Sequence, residues 1–230
     1  MKKNIEKELR FVLTDDQFEK FKEKARDNKS NIITGHSLRE RTVMSDNPNP
    51  NMSFYSKEVD GRLRIRTSEP AKCEVFKESD SEPNVSMLTW KQRIPEYSGK
   101  ELNQEYEIEA KIDSREMANL IHIFEKVLHC PRISSYERIR ETFYMQGIEI
   151  ASDTFPYGHV VELEIKNSTE KELYEVAYKL GLNGFAKSTR SCDDMYKDLC
   201  KLQNKTIKSD ICFGDNEMPS LTESLEKGEV

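Results

Sequence analysis

The 230-residue chain is short of apolar material. Hydrophobic residues make up 36% of it and charged residues 34%, against a usual charged share of about a quarter. Polar groups must therefore occupy more than the outer skin of the domain. No window approaches the length of a membrane span, and the opening "MKKNIEKELR" lacks the apolar run of a secretory signal. The five cysteines, Cys73, Cys130, Cys192, Cys200 and Cys212, include no CxxC pair and no zinc-type spacing to the four histidines. These absences predict reduced thiols in a cytoplasmic protein without membrane contact. Positive charge is not in excess either: 36 basic and 42 acidic residues leave a net charge of −6, which argues against general nucleic-acid binding. His36, His122, His129 and His159 stand apart in sequence and read as surface or packing residues.

What is present is periodicity. Three segments have helical spacing. Residues 14–28 open on Thr14 as N-cap, with Phe18, Phe21 and Ala25 on one stripe. Residues 113–130 pair Asp113 with Glu116 at the capping-box distance and carry Met117, Leu120, Ile121, Phe124 and Leu128. Residues 168–182 have Ser168 or Thr169 as cap, the stripe Leu173, Val176, Ala177 and Leu180, and Gly181 as the stop. All three are expected to lie on an apolar surface. Between them the period is two, over residues 4–13, 33–44, 51–59, 61–69, 85–94, 103–112, 133–145, 147–152 and 159–166, which amounts to eight or nine strands. The natural division is one domain over residues 1–202 and a polar tail over 203–230, expected to be largely disordered.

The strands carry aligned charges. In "NIEKELRFVL", Glu6, Glu8 and Arg10 share one face, while the apolar residues mostly take the other. The same alternation puts Arg62, Arg64 and Arg66 together, then Lys91 with Arg93, Glu105 with Glu107 and Glu109, Arg138 with Arg140, and Glu162 with Glu164 and Lys166. A solvated strand face normally intersperses both signs, and opposed like charges destabilise a sheet. Runs of one sign therefore imply that something of opposite sign comes to each. Three amphipathic helices need apolar sheet surface, so the apolar halves should face outward. The charged halves would then line a closed antiparallel barrel that is wet and open at one end or both, since a dry interior would strand too many ions.

Taken with "GRLRIR", "LTWK", "YEIE", "YERIR", "SDTFPYGHVVELEIK" and "KSTRSCDDMYKDL" in that order, the opening Glu6, Glu8 and Arg10 resemble the ExExK signature of the CYTH domain, the triphosphate tunnel metalloenzymes, over roughly residues 4–200. Arg10 stands where the usual signature has Lys. The resemblance implies an α+β fold: a closed eight-stranded antiparallel β-barrel, a triphosphate tunnel with a charged interior and amphipathic helices packed outside. It implies a triphosphate-bearing small molecule as partner and Mg2+ or Mn2+ as cofactor. Carried over position by position, the metal-side carboxylates are Glu6, Glu8, Glu162 and Glu164, with Glu107 and Asp153 as further candidates. The phosphate-side cations are Arg10, Arg64, Arg66, Lys91, Arg138, Arg140 and Lys187, with Arg62 and Arg93 fitting the alternation. Glu6, Glu8 and Lys91 are the catalytic candidates.

This residue set suits phosphoryl transfer, which asks mainly for positioning and for neutralisation of charge on the phosphate oxygens. Guanidinium groups donate paired hydrogen bonds to phosphate, and glutamate pairs suit a hard divalent ion. Hydrolysis of a small triphosphate is the leading expectation. A class IV-type adenylate cyclase, making cyclic AMP and pyrophosphate from ATP, is the alternative. It would need a base pocket, for which only Trp90 and Tyr97 offer rings, and a Trp beside a strand more often packs outside. Non-catalytic binding of polyphosphate or nucleotide is the third reading. The oligomeric state is open, with a homodimer as one candidate.

Overall fold

In a computed structural model, residues 5–72, 86–94, 102–166 and 170–230 are described. Eight strands make the body: β1 (Ile5–Leu13), β2 (Ile32–Ser45), β3 (Gly61–Pro70), β4 (Ser86–Arg93), β5 (Asn103–Ile112), β6 (Arg132–Met145), β7 (Ile148–Phe155) and β8 (Gly158–Lys166). They hydrogen-bond in the order β6-β2-β3-β4-β5-β1-β8-β7, and β7 pairs back to β6. Every one of these pairings is antiparallel, so the sheet closes into an eight-stranded barrel. Two short strands are added outside this ring. Strand β9 (Ala186–Lys187) lies on β1, and β10 (Asp210–Ile211) runs parallel to β6. Closure removes the sheet edges and fixes the register that decides which residues share the lumen.

The outer face of the barrel is apolar where helices cover it. Leu9, Phe11 and Leu13 of β1 join Phe143, Ile150, Val161 and Leu163 in one buried cluster. Helix α1 (Asp15–Asp27) lays Phe18, Phe21 and Ala25 on it, and α3 (Glu170–Lys179) adds Leu173, Val176 and Ala177. The Thr14 cap forms as expected: its side chain accepts from the Gln17 N–H, and the Gln17 side chain accepts from the Thr14 N–H. Gly181 follows α3 at φ +71°, the left-handed conformation that a helix stop favours.

Residues 113–130 depart from the expected single helix. A 3-10 turn (Ser114–Glu116) leads into α2 (Met117–His122), and a π-helical turn follows at Ile123–Val127. Asp113 caps by accepting from the Arg115 N–H, not through Glu116. The wider π turn carries the next residues past the stripe, and of Met117, Leu120, Ile121, Phe124 and Leu128 only Phe124 is buried.

Residues 51–59 are a loop and not a strand. Asp46 organises it, accepting from Ser53 Oγ at 2.6 Å and from the Phe54 N–H at 2.7 Å. Such side-chain bonds offer the backbone an alternative to a ladder. Cys73, Tyr97 and the cap candidates Ser168 and Thr169 lie outside the described residues.

The expectation of a disordered tail is corrected. Helix α4 (Cys192–Leu202) is followed by β10 and α5 (Leu221–Glu226). Ile211 and Leu221 are buried with Met195, Tyr196 and Leu199 of α4 against Val12, Tyr136, Phe155 and Val160 of the barrel. The Gln203 side chain donates to the Ser220 carbonyl at 2.7 Å, holding the two parts of the tail together. The apolar residues of this segment are too widely spaced to show a period, yet each fills a position on a preformed surface. Gly158, the first residue of β8, is part of that fit: a Cβ there would lie 2.5 Å from Leu221 Cβ.

Leu221→Ala is expected to cost about 2–5 kcal/mol, the usual range for emptying a buried leucine site, as measured by denaturant unfolding. Wild-type stability in that variant would mean that the tail does not contribute to the core.

Candidate functional site

The opening strand turns its charges inward. Glu6, Glu8 and Arg10 are 3%, 6% and 8% exposed, while Leu9 and Phe11 on either side of Arg10 belong to the outer core. The register brings the other charged faces to the same lumen. Arg62 and Arg64 of β3, Lys91 of β4, Glu105 of β5, Arg138 and Arg140 of β6, and Glu162 and Glu164 of β8 line one cavity with Glu8 and Arg10.

Opposite charge arrives from neighbouring strands. Strand β4 lies between β3 and β5, and the arginines of β3 reach across it to the glutamates of β5: Arg62 to Glu105 at 3.3 Å, Arg64 to Glu107 at 3.5 Å and Arg66 to Glu109 at 3.2 Å. The one-signed runs are thus answered first within the protein. A second set of pairs runs around the lumen. Arg138 donates to Glu40 at 2.6 Å and to Asp153 at 3.1 Å. Arg140 holds Asp153 and also Glu162, the latter at 2.6 Å. Arg10 donates to Glu162 at 2.8 Å, lies 2.6 Å from Glu8 and bonds the Arg190 carbonyl. Arg93 sits nearer the rim, 3.8 Å from both Glu105 and Asp194.

The six metal-side candidates divide. Both oxygens of Asp153 are taken by Arg138 and Arg140, and both oxygens of Glu162 by Arg10 and Arg140. Glu6, Glu107 and Glu164 instead bring carboxylate oxygens within 4.8 Å of one another. Lys91 Nζ is 3.0 Å from Glu6 and 3.1 Å from Glu107. This oxygen-only cluster fits a hard divalent ion of the Mg2+ type, which takes one or two carboxylates and completes its shell with water and phosphate oxygens.

Titration behaviour separates the two groups in the same way. Burial, reinforced by Glu162 and Glu105 against the pull of Arg10, pushes the Glu8 carboxyl up to about 7. Burial and the neighbouring Glu6, against the pull of Lys91, carry Glu107 up to about 7. Glu164 is pushed up to about 9 by burial, with Glu6 and Glu149 adding to it. By contrast Glu40, equally buried, is held down at about 2 because Arg138, Arg66 and Arg140 outweigh the desolvation. Glu162 is held below the usual carboxylate range for the same reason, chiefly by Arg10 and Arg140. Carboxylates that are expensive to ionise mark where the protein supplies too little positive charge of its own.

The anion-facing wall has donors to spare. The buried Nε–H groups of Arg62 and Arg64 have no acceptor among the described residues. At one end the cavity meets the first turn of α4, where Ser191, Cys192 and Asp193 line it. Behind that turn the second apolar cluster, including Val12 and Val160, fills the barrel end. Toward the other end Glu109 is exposed.

Lys187 is not brought to the site. It sits on β9, which pairs with β1 beyond the end of β5, and its side chain is exposed on the face of its register partner Phe11, with its Nζ 5.3 Å above the Tyr174 ring of α3. Trp90 also points away from the lumen, edge-on to Phe54. Glu40, Tyr136 and the α4 turn escaped the sequence reading. The inward face of β2 carries Glu40 between Leu38 and Thr42, so no aligned charge advertises it, whereas Arg39 and Arg41 on the outward face do.

The closed antiparallel barrel with a lumen of paired carboxylates and guanidiniums has the triphosphate-tunnel fold of the CYTH domain. Among solved structures, a candidate adenylate cyclase from Vibrio parahaemolyticus superposes with a TM-score of 0.59 at 15% identity, over 85% of this chain and 99% of that one. A candidate adenylyl cyclase from Hippeastrum that reveals a dominant triphosphatase activity matches with a TM-score of 0.56 at 11% identity, over 84% and 95%. A Pyrococcus horikoshii protein matches with a TM-score of 0.56 at 21% identity, over 84% and 98%. No protein-family model and no curated protein matches the chain.

A carboxyl that titrates higher in the folded protein than in the unfolded chain adds stability that is fully present below its unfolded value and is lost as the pH rises through the folded one. Glu8, Glu107 and Glu164 start from 4.5 and reach about 7, 7 and 9. Glu40 and Glu162 act oppositely, losing their contribution as the pH falls from 4.5 through their depressed values. The metal-free protein should therefore melt highest near pH 5 and progressively lower toward pH 9. A melting temperature that does not fall between pH 5 and pH 9 would contradict the raised values.

Proposed function

We propose that the protein hydrolyses the terminal phosphate of a small triphosphate, inorganic or organic, with a divalent ion as cofactor. The observation that carries this reading is the division of one lumen into two walls. One holds the clustered carboxylates Glu6, Glu107 and Glu164; the other presents Arg62, Arg64, Arg138 and Arg140, with Arg10 of β1 beside Glu8 between them.

In this reading the guanidiniums bind the phosphate oxygens, and the unused Nε–H groups of Arg62 and Arg64 are donors already turned to the task. Arg138 and Arg140 are held in place by Asp153 and Glu40, so they meet the substrate already oriented. Glu6, Glu107 and Glu164 would hold Mg2+ or Mn2+, with Glu8 facing the same space. When bound, such an ion supplies charge neutralisation on the phosphate oxygens and orientation of the attacking water. The apolar barrel end behind α4 keeps bulk water from that side of the lumen. The likeness to a Hippeastrum protein with dominant triphosphatase activity supports this reading, and the candidate cyclases with the same fold make cyclic AMP the product to test against.

The test is a product assay with inorganic triphosphate, ATP and thiamine triphosphate in parallel, with Mg2+ or Mn2+ present. Phosphate release is expected, falling about 100-fold or more in Glu164→Gln, as for loss of a group that acts in the transition state. Cyclic AMP with pyrophosphate from ATP would replace hydrolysis with cyclisation. For Arg64→Ala, KM should rise about 10-fold or more with a smaller change in kcat, since one charged hydrogen bond to the substrate is lost. An unchanged KM would move the phosphate contact elsewhere.

A further inference from the structure

The Lys91 ammonium stands where the carboxylates of the candidate ion site converge. Its Nζ lies 3.0 Å from Glu6 Oε2, 3.1 Å from Glu107 Oε1 and 3.9 Å from Glu105 Oε2. Glu164, the third member of the cluster, feels the same charge. With all three carboxyls ionised, as ion binding requires, the cluster carries two more negative charges than the one ammonium at its centre, the charge that one divalent ion carries. An ion bound by Glu6 and Glu107 and an ammonium bonded to the same two groups compete for one space and for the same lone pairs.

The lysine stem also lets this ammonium reorient more freely than the doubly held arginines. Arg10, Arg138 and Arg140 are each bonded to two carboxylates through planar forks. A lysine has a flexible four-carbon stem and three rotatable donors. The place it would move to is the anion wall. Lys91 is the register partner of Arg62, and Arg64 repels its charge. Without an anion, a displaced ammonium meets two guanidiniums; with one, it gains a phosphate partner.

We propose that Lys91 is a resident counter-ion of the site, driven off Glu6 and Glu107 by the divalent ion and taken up by the triphosphate, so that each ligand tightens the binding of the other. This rests on the triphosphate reading above. Lys91 is then more than a phosphate contact: it sets the order of dependence between the two ligands. Because binding free energies are linked, the factor by which triphosphate tightens the ion is the factor by which the ion tightens triphosphate.

The experiment is a calorimetric titration of Mn2+ into the full chain, without triphosphate, for the wild type, Lys91→Met, Lys91→Gln and Lys91→Arg. The wild type is then titrated again with a non-hydrolysable imidotriphosphate present, with the solution complex of that compound and Mn2+ accounted for. Both neutral variants should bind Mn2+ at least tenfold more tightly than the wild type, a gain of about 1.4 kcal/mol. Lys91→Arg, which keeps the charge, should stay as weak as the wild type. Imidotriphosphate should tighten Mn2+ at least tenfold in the wild type and by a distinctly smaller factor in the neutral variants, where only direct coordination by phosphate oxygens remains. Neutral variants that bind Mn2+ no better than the wild type would overturn the proposal. So would equal Mn2+ affinity of the wild type with and without bound imidotriphosphate, and this comparison decides alone if the neutral variants fail to fold. Failure of the triphosphate reading looks different: imidotriphosphate then binds at no Mn2+ concentration, while a gain of Mn2+ affinity in the neutral variants still upholds the displaceable counter-ion.

Discussion

Charge buried inside a sheet must find opposite charge within reach, and the whole molecule is arranged around that requirement. An unpaired ion in a protein interior costs several kcal/mol even after relaxation. Here the pairs link into a chain, Glu109, Arg66, Glu40, Arg138, Asp153, Arg140, Glu162, Arg10 and Glu8, each in contact with the next. Most links cross between strands, so the pairing works only in one register and only in a closed barrel. A slip by one residue would send every charge to the apolar outer face. The same interactions that make the lumen tolerable therefore also specify the fold.

The chain of pairs is not evenly balanced, and the imbalance is where chemistry becomes possible. Asp153, Glu162 and Glu40 have arginines on both oxygens or on two sides, which leaves them fully occupied. Glu6, Glu107 and Glu164 gather around one lysine, and Arg64 reaches Glu107 at 3.5 Å. Groups of one chemical type are thus driven to opposite behaviour by their neighbours, Glu40 and Glu162 held down by arginines and Glu107 and Glu164 pushed up by burial. On the opposite wall Arg62 and Arg64 hold donors that no described residue accepts. Positive charge is lacking where an ion would bind and hydrogen-bond acceptors are lacking where an anion would bind.

The outer shell makes this lumen one-sided. Helices α1 and α3 seal the face around β1, β7 and β8. Helix α4 and the tail close one barrel end with an apolar cluster, and the first turn of α4 becomes the floor of the charged cavity. Residues 203–230 therefore belong to the body that shapes the site, although they contribute no charge to it. Among the described residues no helix is long and apolar enough to cross a membrane.

The local pattern of the sequence was enough for most elements that depend on a period, residues 51–59 and 113–130 being the exceptions. Two-residue alternation identified the inward faces of β1, β3, β5, β6 and β8, because each carries at least two charges in step. The stripes of α1 and α3 and the Thr14 cap were legible because they lie within one or two turns of chain. What depends on partners across the barrel was not. Register alone decided that Glu6, Glu107 and Glu164 converge while Asp153 and Glu162 are spent on arginines, and it left Lys187 outside on β9. Glu40 was silent because it is the single inward charge of its strand. The π turn after α2 and the docking of the tail were equally hidden, since one changes the period it would have been read by and the other uses scattered residues against a surface made elsewhere. A sequence states which side chains share a face; only closure of the barrel states which faces meet, because distance between strands has no trace in the spacing along them.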